Sequence, residues 1–430
     1  MIALLLGYMW LFIHRPFEVW PILGTMRIER VYMIVVILVW FFFYKKTVLA
    51  NRATVAVMVL FFSIMLSEYL SPFGAGLSKG AEEWLKVFVF TILIITSIRT
   101  ERELKVLLTG FCVIFFLYMA HSFYEFRYNG RHVYRMGTIR MIGVDETMND
   151  PNTFGASIVY AIPMLIPLWH LKGKTIWLGL CMKLFAVCSF LLSVVCVLKT
   201  GSRSSFVAVI TVLLFLACFS KYRYRWLTAL VVAAPFIWMG MSDNLKDRYL
   251  TIIDPSRGPA SAQESAEGRL EGFRLGVQIW EKYPIVGVGP GVSPMFQVDN
   301  MQTHNFVGQV LAELGIIGMF AYILIAVVIV MNFLEARRYN HLYRIIRPPG
   351  DEYLYSVSVA TMITLFELQL LGVAGHNAYR YTWIWYPTFQ GIAVMLLVAK
   401  IRYFADSREK ISETGPEKPS LSSRKEFSRA

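Results

Sequence analysis

The chain has 430 residues, 56% of them hydrophobic and 17% charged, with a formal net charge of +13 and a mean hydropathy of +0.53. A water-soluble fold of this length would carry more surface charge, so the composition excludes a soluble globular protein. The basic excess reads as lysine and arginine gathered in cytoplasmic loops, not as a nucleic-acid surface.

Apolar stretches of about twenty residues recur along the chain, the length that crosses a bilayer core of about 30 Å. They lack the period-two alternation of barrel strands, so the predicted fold is all-α, a polytopic membrane domain over residues 1–405. Twelve spans fit: 2–14, 30–44, 53–70, 82–98, 105–122, 152–169, 176–198, 204–220, 226–241, 305–334, 354–374 and 383–401. The first run, Ile2 to Ile13, has no small-residue cleavage site after it and reads as a retained span. A polar loop over 123–151 carries Arg127, Arg131, Arg135 and Arg140, and a longer one covers about 242–304. The polar tail, 406–430, is expected to be disordered. Cys112, Cys181, Cys188, Cys196 and Cys218 are scattered through apolar runs without a CxxC, which indicates neither a disulfide framework nor a thiolate metal site.

With both termini inside, the loops after spans two, four, six, eight and ten are cytoplasmic, and all are short and basic. The 123–151 loop, the hairpin Thr200-Gly201-Ser202-Arg203-Ser204-Ser205, the long loop and His376 then share the opposite face. Most arginines on that face are expected to pair with nearby acids: Glu125, Asp145, Asp247, Glu267 and Glu271.

Arg203 is the exception. Its hairpin has no room for a proper loop, so it stands at the membrane surface, where hydroxyl caps and a helix N-terminus favour an anion. A guanidinium there adds a planar donor fork suited to phosphate; the plain alternative is snorkelling to lipid headgroups. After Glu267-Gly268-Arg269, apolar residues recurring from Leu270 at Phe273, Val277 and Trp280 mark an amphipathic surface helix with Arg269 near its start. The run Gly287-Val288-Gly289-Pro290-Gly291 lacks the lysine of a phosphate loop and reads as a turn that returns the chain to the membrane. His304, at the start of span ten, is a candidate general base, with His376 and His132 as competitors and Asp145 and Glu146 as carboxylate alternatives. The histidines are dispersed and no HExxH or DxD is present, so metal-independent chemistry with no cofactor is expected.

Several motifs then fall in order: Asp150-Pro151-Asn152, Ser202-Arg203-Ser204, Arg269 ahead of Pro284, the glycine run, and His304-Asn305-Phe306 followed by Glu313-Leu314-Gly315-Ile316-Ile317-Gly318. Over about 150–330 this order resembles the O-antigen ligase and polymerase superfamily of bacterial envelopes. The resemblance implies a metal-independent, inverting membrane glycosyltransferase of the inner membrane. Its partners would be an undecaprenyl diphosphate-linked glycan donor and a glycan, lipid or protein acceptor, with the active site facing the periplasm. It further implies that Arg203 and Arg269 bind the diphosphate and His304 activates or orients the acceptor hydroxyl, supported by Asn305. Asn152, Arg274 and Gly289 join Asn305 as expected substrate-binding residues. Phe273 stands where the family often has tryptophan. Within the family a polymerase is the alternative to a ligase. Outside it, a polysaccharide transporter or flippase is the alternative, but no internal repeat is visible and the ionisable groups cluster at one face.

Overall fold

The computed structural model describes residues 1–44, 51–73, 79–135, 137–172, 175–219, 243–250, 261–296, 304–346 and 352–414, with scattered positions between 224 and 239. The chain is an all-α membrane protein with one small hairpin among these residues.

The helices in chain order are α1 (Ile2–His14), α2 (Pro16–Val19), α3 (Pro21–Thr25), α4 (Ile28–Phe43), α5 (Arg52–Leu70), α6 (Lys79–Ser97) and α7 (Glu101–Tyr128). The strands β1 (His132–Arg135) and β2 (Thr138–Met141) pair antiparallel and precede α8 (Pro151–Ala161), α9 (Leu165–Trp169), α10 (Ile176–Thr200) and α11 (Arg203–Phe219). Then come α12 (Asp243–Leu250), α13 (Ser261–Lys282), α14 (Phe306–Ile346), α15 (Tyr353–Gly372) and α16 (Thr382–Thr414).

Local sequence sets many of the boundaries. Asn51 caps α5 by accepting from the Thr54 amide at 2.9 Å. Thr100 and Glu103 form a reciprocal capping box at the start of α7. Asp150 caps α8 and Pro151 occupies its first position, where a missing N–H costs nothing. Pro163 then tightens the chain into a 3₁₀ turn between α8 and α9.

Among the described residues, seven helical stretches are long and apolar enough to cross a bilayer: Arg52–Leu70, Glu101–Tyr128, Pro151–Trp169, Ile176–Thr200, Phe306–Leu342, Tyr353–Gly372 and Thr382–Phe404. They coincide with seven of the twelve predicted spans. Helices also stand at predicted spans one, two, four and eight, but α1 and α4 are only 13 and 16 residues long. The α6 helix carries Lys79, Glu82, Glu83 and Lys86, and α11 is another short apolar helix. Predicted span nine, Arg257 and the 415–430 tail lie largely or wholly outside the described residues. The last helix continues to Thr414, past the predicted start of the tail, through a stretch rich in good helix formers such as Ala405, Arg408, Glu409 and Lys410.

The centre of the bundle is α16. Of its apolar window 72% is buried, against 28% for α10 at the periphery. Lipid tails are as apolar as the helices, so close packing, not escape from water, holds such a bundle together. Trp383 stacks on Phe306 with ring centroids 5.2 Å apart and 13° between planes, and meets Tyr322 edge-on at 5.0 Å. Ring pairs of this kind contribute about 0.5–1.5 kcal/mol each. They fix the first turn of α14, and hence His304 and Asn305 beside it, onto the start of α16.

The α14 helix is broken. Gly315 has φ 61° and ψ −157°, a conformation open only to glycine. The break frees backbone groups that cannot remain unpaired in a membrane. The segment after α13 satisfies them: Val288 and Gly289 amides donate to the Ala312 and Glu313 carbonyls at 2.9 and 3.0 Å. In return, Ile316 and Ile317 amides donate to Pro284 and Ile285 carbonyls at 2.9 and 3.3 Å. The glycine run is therefore more than the turn that the sequence suggests, because its backbone completes a discontinuous span.

Candidate functional site

Three helix N-termini and one helix–helix turn come together at one end of the bundle. The first is that of α8. The second belongs to α11, where Gly201 (φ 59°) ends α10 in the left-handed conformation and Ser202 caps the next helix, its Oγ accepting from the Ser205 amide at 3.4 Å. Arg203 is the first residue of α11, as the hydroxyl-rich hairpin suggested. Gly155 seats α8 on this hairpin; a side chain there would press within 2.7 Å of Ser205 Oγ.

The third is the start of α14. Asn305 accepts from the Gly308 amide at 3.0 Å, so its side chain is the helix cap, and its Nδ2 reaches the Val373 carbonyl at 3.5 Å. His304 lies just outside, with its ring centroid 5.5 Å from that of His376 in the α15–α16 turn. The Nδ1 of His376 is buried without a hydrogen-bond partner. Burial first, then the neighbouring His304 and Arg380, hold His376 down at about 4, against a pull upward from Asp150. His376 is thus neutral near pH 7, with its ring against that of His304 and within the electrostatic reach of Asp150, the cap of α8.

Arg269 reaches the same region from α13. Backbone contact brings α13 against α14: a side chain at Gly276 would lie 2.4 Å from the Gly308 carbonyl oxygen, and one at Gly308 would lie 3.0 Å from that of Gly272. Arg269 stands one turn before this crossing. Burial lowers its guanidinium from the ordinary arginine range, and the charge of Arg203 lowers it further. Two guanidinium groups from separate elements therefore act on each other electrostatically, an arrangement that an intervening anion relieves. The α13 helix begins at Ser261, so Arg269 is in its third turn and not near its start. What it brings to the site is its own charge and not a helix terminus.

Asn152 and Arg140 close the arrangement. Arg140, on β2, is almost fully buried; it donates from Nε to the Thr200 carbonyl at 2.7 Å and from Nη2 to Asn152 Oδ1 at 2.8 Å. Thr200 is the last residue of α10, so this arginine satisfies a helix-end carbonyl and clamps the hairpin beside Arg203. Other arginines of this face also donate to neutral oxygens. Arg131 donates to the Gly143 carbonyl at 3.0 Å, and Arg380 to Ser157 Oγ at 3.2 Å. Asp145 instead accepts from Tyr118 at 2.5 Å and from Thr147, and Glu125 accepts from Asn129 at 2.9 Å. The side chains of Arg135, Arg248 and Glu267 lie outside the described residues.

Not every predicted residue is at the centre. Arg274 is exposed and five residues beyond Arg269, about 140° around the helix. Gly289 (φ 103°) donates its amide to Glu313 and packs on Ser71, a backbone role. His132 lies on β1, and Glu146 opens a 3₁₀ turn with its amide bound to Glu18 at 2.8 Å. Sequence reasoning singled out neither Arg140 nor the Glu313 side chain. Glu313 is fully buried beside the helix break and accepts from Ser293 Oγ at 2.6 Å and Gln309 Nε2 at 3.4 Å. The Glu-Leu-Gly triplet was the visible signal for it; for Arg140, the signal was a single arginine in an otherwise apolar stretch, Ile139 to Val144.

Residues 188–323, about a third of the chain, match the family model described as O-antigen ligase. The match takes in Arg203, Arg269 and His304, and leaves Arg140, Asn152 and His376 outside. No curated protein matches the chain.

Proposed function

We propose, with residues 188–323 read as the O-antigen ligase region of a membrane glycosyltransferase-like protein, that the chain transfers a glycan from an undecaprenyl diphosphate carrier to an acceptor hydroxyl. The reaction belongs to the periplasmic face of the bacterial inner membrane. One feature carries the reading: the charge of Arg203, first residue of α11, reaches Arg269 on α13, beside helix N-termini that favour an anion.

The chemistry follows from charge and proton flow. The acceptor oxygen attacks the anomeric carbon, its O–H proton passes to His304, and the carbon–oxygen bond to the diphosphate breaks. A single displacement inverts the anomeric centre. Negative charge grows on the leaving diphosphate, where the two guanidinium groups stabilise it. His304 takes the proton as general base, with neutral His376 alongside it. Because fixed arginines supply the positive charge, transfer needs no divalent ion. Chelator should leave the rate unchanged, and a rate restored only by added metal would contradict this.

The deciding experiment incubates the purified full chain with carrier-linked glycan and candidate acceptors, and identifies the product. A new glycoside with free carrier diphosphate is expected. Movement of carrier-linked glycan across liposomes without transfer would replace this reading with that of a flippase. A polymerase would use the same geometry. A deletion strain separates the two, because long carrier-linked chains accumulate when a ligase is lost and single repeat units when a polymerase is lost.

A further inference from the structure

Resting on this transfer reading, we propose that the C-terminal end of α7 carries a separate glycan-binding surface. Trp20, Tyr124 and Tyr128 would offer ring faces to the sugars of a polysaccharide chain while Glu125 and Asn129 bind their hydroxyls.

The length of α7 sets up this surface. Its 28 residues span about 42 Å, against a bilayer core of about 30 Å. Its first two turns hold Glu101, Arg102, Glu103 and Lys105, and Glu101 pairs with Lys400 at 2.9 Å and Lys105 at 2.5 Å. That end is thereby fixed among headgroups, and the last two turns project from the apolar core at the other side. Positions 121, 124, 125 and 128 follow the spacing of one helix face. Trp20, from the α2–α3 junction, stacks on His121 with centroids 6.2 Å apart and 15° between planes. Below it, His121 Nδ1 is hydrogen-bonded to His14 Nε2 at 2.8 Å, which holds the ring in place. The Tyr124 and Tyr128 rings lie 5.0 Å apart. Trp20 is 46% exposed, Tyr124 53% and Tyr128 70%.

Such rings could serve only as a belt that anchors the helix at the membrane surface. The groups between them point instead to sugars. Glu125 sits 3.6 Å from His121 and accepts from Asn129 at 2.9 Å, so donors and acceptors alternate with ring faces along the stripe. A pyranose presents both an apolar C–H face and equatorial hydroxyls, and this combination matches it, whereas acyl chains match only the rings. The surface also leads to the reacting centre. Glu18, two residues before Trp20, binds the Glu146 amide at 2.8 Å, and the chain then runs directly to Asp150 and Asn152.

The test is transfer by the full chain carrying Trp20→Ala, Tyr124→Ala or Tyr128→Ala, with two donors: a single sugar and a many-unit glycan on the same carrier. Each variant should raise KM for the long donor by roughly two- to tenfold and leave the single-sugar donor within about twofold. Trp20→Phe and Tyr128→Phe should retain most of the long-donor preference. Equal loss on both donors, or loss that tracks membrane insertion, would assign the rings to anchoring and overturn the proposal, as would no change at all. Absence of any transfer by the unaltered chain would instead count against the function itself.

Discussion

At the scale of residues, the proposed function gives the two arginines and the two histidines separable jobs. Arg203→Ala and Arg269→Ala should each lower transfer about a hundred- to thousandfold while membrane expression is unchanged, as measured by product formation. Lysine in their place should recover only part, because a point charge lacks the two-pronged contact of a guanidinium. His304→Ala should abolish transfer, and full complementation by it in a deletion strain would sink its role as base. His376 gives a different readout. Its folded-state value, about 4, is below the ordinary 6.5. Between these values the unfolded chain takes up a proton that the folded chain refuses, so stability falls as pH drops from about 6.5 toward about 4. His376→Gln should flatten that slope in thermal melts run across this window. Arg203 and Arg269 stand out in the sequence because charge at a membrane edge contrasts with apolar runs. The jobs of Asn305 and Gly289 were not legible: a cap and a backbone donor are defined by what they touch, and nothing in a linear string shows that Gly289 faces Glu313.

At the scale of elements, close backbone approach decides the geometry. Gly276 and Gly308 let α13 and α14 touch, with no room for a side chain at either position. Gly276→Ala should push α13 outward and weaken transfer through KM for the donor, with Arg269 itself intact. Gly315→Ala is more severe. The residue would face Ile285 O at 2.5 Å in a backbone conformation that alone costs about 1–3 kcal/mol without glycine. Loss of folded protein in detergent extracts is the expected outcome. The hydrophobic pattern read span ten as one continuous helix. It could not show the break, because the residues on either side of Gly315 are as apolar as the rest and the compensating hydrogen bonds come from a different part of the chain.

At the scale of the whole molecule, the sequence conveyed the class of fold better than its count of spans. The spans most easily read, such as α10 and α14, are long apolar runs closed by basic residues. The short α1 and the charged α6 fit the same pattern less well, since a 13-residue helix is too short to cross alone. The convergence of α8, α11, α14 and the α15–α16 turn was not legible, because helix order says little about which ends meet. If the arginines and His304 face the periplasm, a reporter fused after Asn300 should be exported. A cytoplasmic signal there would invert the topology.

The break in α14 also bears on how the protein is made. Residues 284–289 leave the ribosome before residues 312–317. Until α14 enters the membrane, the earlier segment has open donors and acceptors, and it must wait beside the bilayer with those groups hydrated. Insertion of α14 then does two things in one step: it places a span and dehydrates a strip of loop made before it. The loop and the span therefore form a single assembly intermediate, and a delay in synthesis between the two would leave both unfinished.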